Sequence, residues 1–231
     1  MKRVLVVCLA LGAVSAFAGD IVVHRVNGDV SIRHGVTEVW ARVAAGDVLR
    51  PDDTMRIGRK GSAVVTAETE HAGRKTMTLP AEVIVDMSDI RELTREELML
   101  KLTMEKVRSS SYQWRNEELH IPNAAVVHGS NAAPAGLKEG DIGTGMFQLN
   151  GARVLFDNGF FATCALRGLE VFRQFPALGT DFRQRMMVAE ALERANLKGE
   201  ALSEYGTIAA FTTLTPEQLA RVNGKMESLR K

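Results

Sequence analysis

Three things are scarce in this chain, and each scarcity removes a class of protein. The first is cysteine. Only Cys8 and Cys164 occur among 231 residues, and Cys8 lies in a leader expected to be removed, so no intramolecular disulfide can form. Stability must come from packed apolar surface. The second is a long apolar run. A spanning helix needs about 20 apolar residues, but the stretch that starts at Val4 is already diluted by Gly12 and Ser15 and is closed by Asp20. The third is excess charge of one sign. Loss of Lys2 and Arg3 with the leader takes the 29 basic residues to 27, against 28 acidic, a net charge of −1. A nucleic-acid partner needs clustered Lys and Arg. The stretches Tyr112–Arg115 and Phe172–Phe175 are too short to supply that cluster.

What is present begins with the leader itself. Lys2 and Arg3 form a basic start, Val4 to Leu11 an apolar centre, and Ala16-Phe17-Ala18 a small-x-small cleavage site. This is the pattern of a secretory signal peptide over residues 1–18, cleaved after Ala18. A lipid-anchor reading is poorer, because Val7 precedes Cys8 where a small residue is needed. The mature chain is expected in the periplasm, with no stable membrane insertion.

Residues 20–90 read as short strands. Ile21–Val26 and Asp29–Arg33 flank Asn27-Gly28, a strong hairpin signal because a type I′ turn takes two residues at positive φ. Further apolar pieces follow at Val39-Trp40, Val48-Leu49, Met55–Ile57, Ala63–Val65, Thr76–Leu79 and Val83–Val85, separated by glycines. The pattern is that of an all-β roll or sandwich. Residues 91–115 form a helical extension. Thr94 and Glu97 make a capping box, Leu98 and Leu102 supply an apolar face, and Ser109-Ser110-Ser111 is expected to end the helix near Arg108. Residues 116–148, with glycines at 129, 136, 140, 143 and 145, read as a connection.

From 149 to 231 the helical period dominates. Leu155, Phe160, Leu169 and Phe172 lead to Pro176, a second run carries Met186, Ala189 and Leu192, and a third Ala201 and Tyr205. Thr215-Pro216-Glu217-Gln218 opens a last helix with an N-cap, a proline at the first helical position and a second capping box. The fold class is therefore α+β: an N-terminal β roll or sandwich followed by a C-terminal α-helical hairpin domain.

Gly28, Val30, Ile32, Trp40, Gly46–Leu49, Met55–Gly58 and Ser62–Val65 resemble the pattern of the FecR-like periplasmic domain, with Ile57 where that family usually has threonine. The resemblance implies a β module that senses or docks an envelope component. The helical half resembles tetratricopeptide-type hairpins. Gly159 to Cys164 matches a glycine–aromatic–small pattern, Pro176 stands at the terminal proline, and Ala189, Leu192, Ala201 and Tyr205 match a second repeat. Gly168 departs from that pattern, since a large apolar residue is usual there. The resemblance implies a groove for a protein or peptide segment.

Reactive groups form no convincing constellation. His24, His34, His71, His120 and His128 show no metal-ligand spacing, although His24 and His34 could meet across the first hairpin. Cys164 reads as a packing residue. Ser109–Ser111 lacks a base in register. Glu96-Glu97 and Glu117-Glu118 are neighbours that do not face one another on a helix. Gly58-Arg59-Lys60-Gly61 reads as a strand–strand turn rather than a phosphate loop, because no helix follows. Trp40 is expected in the β core and Trp114 packed between the two halves. The expectation is a non-enzymatic binding or scaffolding protein with no catalytic, cofactor or metal site. The alternatives are a FecR-type signalling protein and a glycan- or peptidoglycan-binding module, for which exposed aromatics on the β face are expected.

Overall fold

The structure is a computed structural model that describes residues 21–37, 39–69, 73–117 and 139–231. The expected leader, most of the 116–148 connection, His71, His120, His128 and the Trp114 side chain lie outside the described residues. The α+β class holds: among the described residues antiparallel sheets come first and six α-helices follow.

Eight strands, β1 (Ile21–Asn27), β2 (Val30–His34), β3 (Ala41–Arg42), β4 (Val48–Leu49), β5 (Asp53–Ile57), β6 (Ser62–Thr69), β7 (Gly73–Leu79) and β8 (Val83–Asp86), form two four-stranded sheets. Their orders are β4-β1-β6-β7 and β3-β2-β5-β8, antiparallel throughout. Alternation sets the inner faces: in β6, Ala63, Val65 and Ala67 point inward, and in β8, Val83 and Val85 do.

The hairpin expected at Asn27-Gly28 does not form. β1 pairs with β4 and β6, while β2 pairs with β3 and β5, so this corner carries the chain from one sheet to the other. Only Gly28 has positive φ, at 67°, which rules out the type I′ turn that needs two such residues. The glycine is required for a second reason: a Cβ there would lie 2.1 Å from the Lys60 carbonyl oxygen. His24 and His34 consequently sit in different sheets.

Helices α1 (Arg95–Glu117), α2 (Glu139–Asp157), α3 (Phe161–Gln174), α4 (Phe182–Arg194), α5 (Lys198–Ala209) and α6 (Pro216–Arg230) complete the chain. Two boundaries differ from expectation. α1 runs through the serine run, where the Ser109 hydroxyl donates to the Glu105 carbonyl one turn back, so the side chain is satisfied inside the helix instead of terminating it. α2 begins at Glu139, inside the segment read as a connection, and tolerates Gly140, Gly143, Gly145 and Gly151.

One of these glycines, Gly151, is required by packing. α2 lies along β8, the edge strand that pairs only with β5, and a Cβ at Gly151 would sit 2.0 Å from the Ile84 carbonyl oxygen. The glycine lets helix and strand backbones touch. The Asn150 side-chain amide donates to the Glu82 carbonyl, Lys75 of β7 donates to the Asn158 carbonyl just past α2, and Leu149, Ala152 and Leu155 are buried. A helix thus covers an edge that would otherwise invite strand addition. The buried apolar residues form one contiguous cluster, from Val23 and Val65 through Leu149 to Ala189, Tyr205 and Val222.

Consecutive helices from α2 to α6 pack on one another. Gly168 is informative, because a Cβ there would meet Val188 Cγ2 at 2.3 Å; the small residue admits a branched partner from α4. Thr215 accepts from the Gln218 N–H at 3.2 Å and Gln218 returns the bond to the Thr215 N–H at 2.9 Å, the full capping box expected of α6. At α1 only half of the box forms. Thr94 accepts from the Glu97 N–H, while the Glu97 carboxylate turns instead to Arg91 and Lys101.

Candidate functional site

Two regions concentrate chemistry, and the helical one is built around α1. Leu98 and Leu102, four residues apart and on one helical face, are buried as α1 lies on α3. Glu105, one turn on, pairs with Arg173. Beside α1 runs an apolar cleft of about 170 Å³, with Met99, Leu102, Leu169 and Leu192 in its wall and Glu200 and Ser203 of α5 at its side. Glu204 in the same wall pairs with Arg185 at 2.9 Å. α3 therefore already holds one leucine-bearing helix, and an apolar slot lined from α1, α3, α4 and α5 lies alongside it.

A second cleft, about 320 Å³, shares Glu105 and ends at Asp89 and Arg167. Arg167 projects from α3 onto the turn after β8, where it meets Asp86, Asp89 (2.7 Å) and Glu170 (3.0 Å). Three carboxylates around one guanidinium leave an excess of negative charge. Burial pushes the Asp89 carboxyl up to about 6, with Arg167 pulling the other way and Asp86 and Glu170 adding to the rise. Burial works against the Arg167 charge too, but the surrounding carboxylates outweigh it and raise its pKa. This network ties the β half to α3. A comparable node joins the last three helices: the Tyr205 hydroxyl (2.8 Å) and Lys225 (2.9 Å) both donate to Glu193.

The other region is the outer face of the β3-β2-β5-β8 sheet. Trp40, expected in the core, is only half-buried and lies on this face. The Arg33 guanidinium lies 5.4 Å and that of Arg56 4.6 Å from its ring. Register places Arg42, Ser31 and Arg56 opposite one another across three strands, and Arg33, Thr54 and Asp86 in the next row. Directly paired strand residues share a face. Among the described residues no carboxylate lies within ion-pair distance of Arg33, Arg42 or Arg56.

The other candidates from the sequence do not assemble into a reactive site. Cys164 is fully buried in α3, and burial pushes its thiol up to about 12, so it stays protonated and unreactive at physiological pH. His34 Nδ1 lies 2.7 Å from Asp53 Oδ1, and Asp53 also accepts from the Arg50 N–H; this is a strand-end pair. Gly58–Gly61 is the turn between β5 and β6, as expected, with no helix behind it. Among the described residues no group of His, Cys, Asp and Glu could hold a metal ion, and no helix is long and apolar enough to cross a membrane. Sequence reasoning missed the Arg167 network and the arginines about Trp40. Their carboxylates and guanidiniums are distant in the chain, and the only local hint was the alternation that put Ser31 and Arg33 on one face.

Compared with known proteins, the chain matches no family model, no curated protein and no solved structure.

Proposed function

We propose that this is a non-enzymatic, secreted binding or scaffolding protein of the bacterial envelope, in which the helical half takes a protein or peptide segment and the β half docks an envelope component. The leader pattern of residues 1–18 supports export to the periplasm, and the FecR-like and tetratricopeptide-like residues support the division of labour. The observation that carries the reading is the apolar cleft beside α1. Its wall sets Met99 and Leu102 of α1 beside Leu169 and Leu192, an apolar lining suited to the leucine side chains of a second amphipathic helix. Glu200 and Lys106 in its lining offer one charge of each sign to the flanks of such a segment.

The test is site-specific photo-cross-linking from Ser203 in intact cells. One discrete partner is expected, with its cross-link abolished by Met99→Trp, which fills the cleft. A pattern no different from that of a cross-linker placed on the exposed surface of α6 would refute the reading. Of the alternative readings, glycan binding gains a specific observation, the position of Trp40 on the outer β face.

A further inference from the structure

We infer that the outer face of the β3-β2-β5-β8 sheet is a binding site for an acidic saccharide, with Arg33 and Arg56 gripping its oxyanion groups beside Trp40. Four observations converge. Arg33, Arg42 and Arg56 share one face by strand register. None of them has a carboxylate within ion-pair distance among the described residues, so three cations gathered on one face stand without a counter-charge. The two guanidiniums lie over the Trp40 ring, 5.4 and 4.6 Å from its centroid, a cation–π contact that does not use up their N–H donors. Finally, two polar atoms in this patch, Ser31 Oγ and Arg33 Nε, are buried without a hydrogen-bond partner. Buried polar groups are almost always satisfied, so an orphaned hydroxyl beside an orphaned guanidinium N–H marks a place where an external acceptor belongs.

The surroundings narrow the ligand. The one carboxylate in the Arg33 row is Asp86, two strands away. It is held by Arg167 and by the Thr54 hydroxyl at 2.6 Å, and that hydroxyl in turn lies 3.4 Å from Arg33 Nη2. It cannot neutralise the patch. Arg42 is exposed and Arg33, Trp40 and Arg56 are half-buried, so the part of this face that a ligand reaches lies at the surface, which suits an extended chain better than a small enclosed ion. An indole beside guanidinium forks matches the mixed C–H and oxyanion surface of a charged sugar. Three arginines in a chain of near-neutral charge are too few to follow a nucleic-acid backbone. This inference is independent of the peptide cleft, which lies on the helices.

Calorimetric titration of the full chain with oligogalacturonate, with glucose 1-phosphate, with a neutral maltooligosaccharide and with inorganic phosphate tests it. Binding of the carboxylated or the phosphorylated sugar is expected, whichever fits identifying the oxyanion, and the neutral sugar should bind at least about tenfold more weakly. Arg33→Met and Arg56→Met should each weaken binding by about tenfold or more. Arg56→Lys, which keeps the charge but loses the fork, should fall most of the way with them. Circular dichroism melts confirm folding, and Arg42→Met supplies a second, more exposed probe should Arg33→Met unfold. Absence of binding by both acidic sugars, equal binding of the neutral sugar, binding of inorganic phosphate alone, or affinity unchanged in the folded arginine variants would overturn the inference.

Discussion

The second sheet has two sides that use arginine in opposite ways. At its β8 side, Arg167 is only 17% exposed and is surrounded by Asp86, Asp89 and Glu170, so one cation answers three anions and joins sheet to helix. At its β3 side, Arg33, Arg42 and Arg56 have no carboxylate within ion-pair distance among the described residues, and Arg33 and Arg56 rest against a tryptophan. The first arrangement is closed and serves the fold. The second has donors in excess, one of them buried, and is complete only when something else arrives. The lesson is that counting charges over the whole chain hides function: a net charge near zero is made here of an over-neutralised weld and an under-neutralised face on the same sheet.

The comparison can be broken most sharply at the weld. Gly151→Val places a side chain against the Ile84 carbonyl and should force α2 off β8, costing about 3 kcal/mol or more, roughly 6–12 °C in Tm; a melting curve like that of the wild type would show that α2 does not touch the strand. Arg167→Met comes next. It strands three carboxylates and should cost about 3 kcal/mol at pH 7.5, and clearly less at pH 5, where Asp89 takes up a proton. An equal loss at both pH values would mean that the network works by packing alone.

The pH dependence of the unmodified protein sharpens the same point. The folded-state pKa of Asp89, about 6, lies above the ordinary value of 3.8, so the native state holds this proton more tightly than the unfolded chain. Its contribution to stability therefore increases as pH falls from above 6 towards 4, by about 1–2 kcal/mol. Glu97, held down by the Arg91 hydrogen bond, has its pKa lowered. So does Glu193, where the Lys225 and Tyr205 hydrogen bonds overcome the opposing effect of burial. Both act in the reverse direction: their stabilisation is present above the ordinary value of 4.5 and disappears as pH falls through their lowered pKa. A Tm that rises between pH 7.5 and 5 and then falls is expected, and Asp89→Asn should remove the rise. The smallest expected effect is on the other side of the sheet, where Arg56→Met should change stability by only about 0.5 kcal/mol, as read by urea denaturation. A large loss there would mean that this arginine also belongs to the fold.

Much of the architecture was legible in the chain. Alternation in Ala63-Val64-Val65 and Val83-Ile84-Val85 marked inner and outer strand faces because the side-chain period of a strand is two, and the box at Thr215–Gln218 was readable because all its partners lie within four residues. The failures share a cause as well. Asn27-Gly28 carries a hairpin signal, yet whether strands that follow one another also pair depends on which distant strands compete for their edges, here β4 and β6 against β3 and β5. Ser109 looked like a stop, but its hydroxyl found the carbonyl of Glu105. Gly145 looked like a loop residue because glycine is a poor helix former, but the side chains of Leu178 and Phe175 fill the space its Cβ would take. Gly168 looked like a degenerate repeat position until Val188 was seen to fill its place.

For the candidate sites the division is stricter. The residues themselves determined an α+β order and a buried, inert Cys164, since each follows from local composition or period. Tertiary structure alone decided that Arg167 would be enclosed by carboxylates while Arg33 and Arg56 would flank Trp40 without one. Those outcomes depend on register and on which helix covers which edge, and both are set by contacts between residues tens of positions apart, for which no local pattern carries a signal.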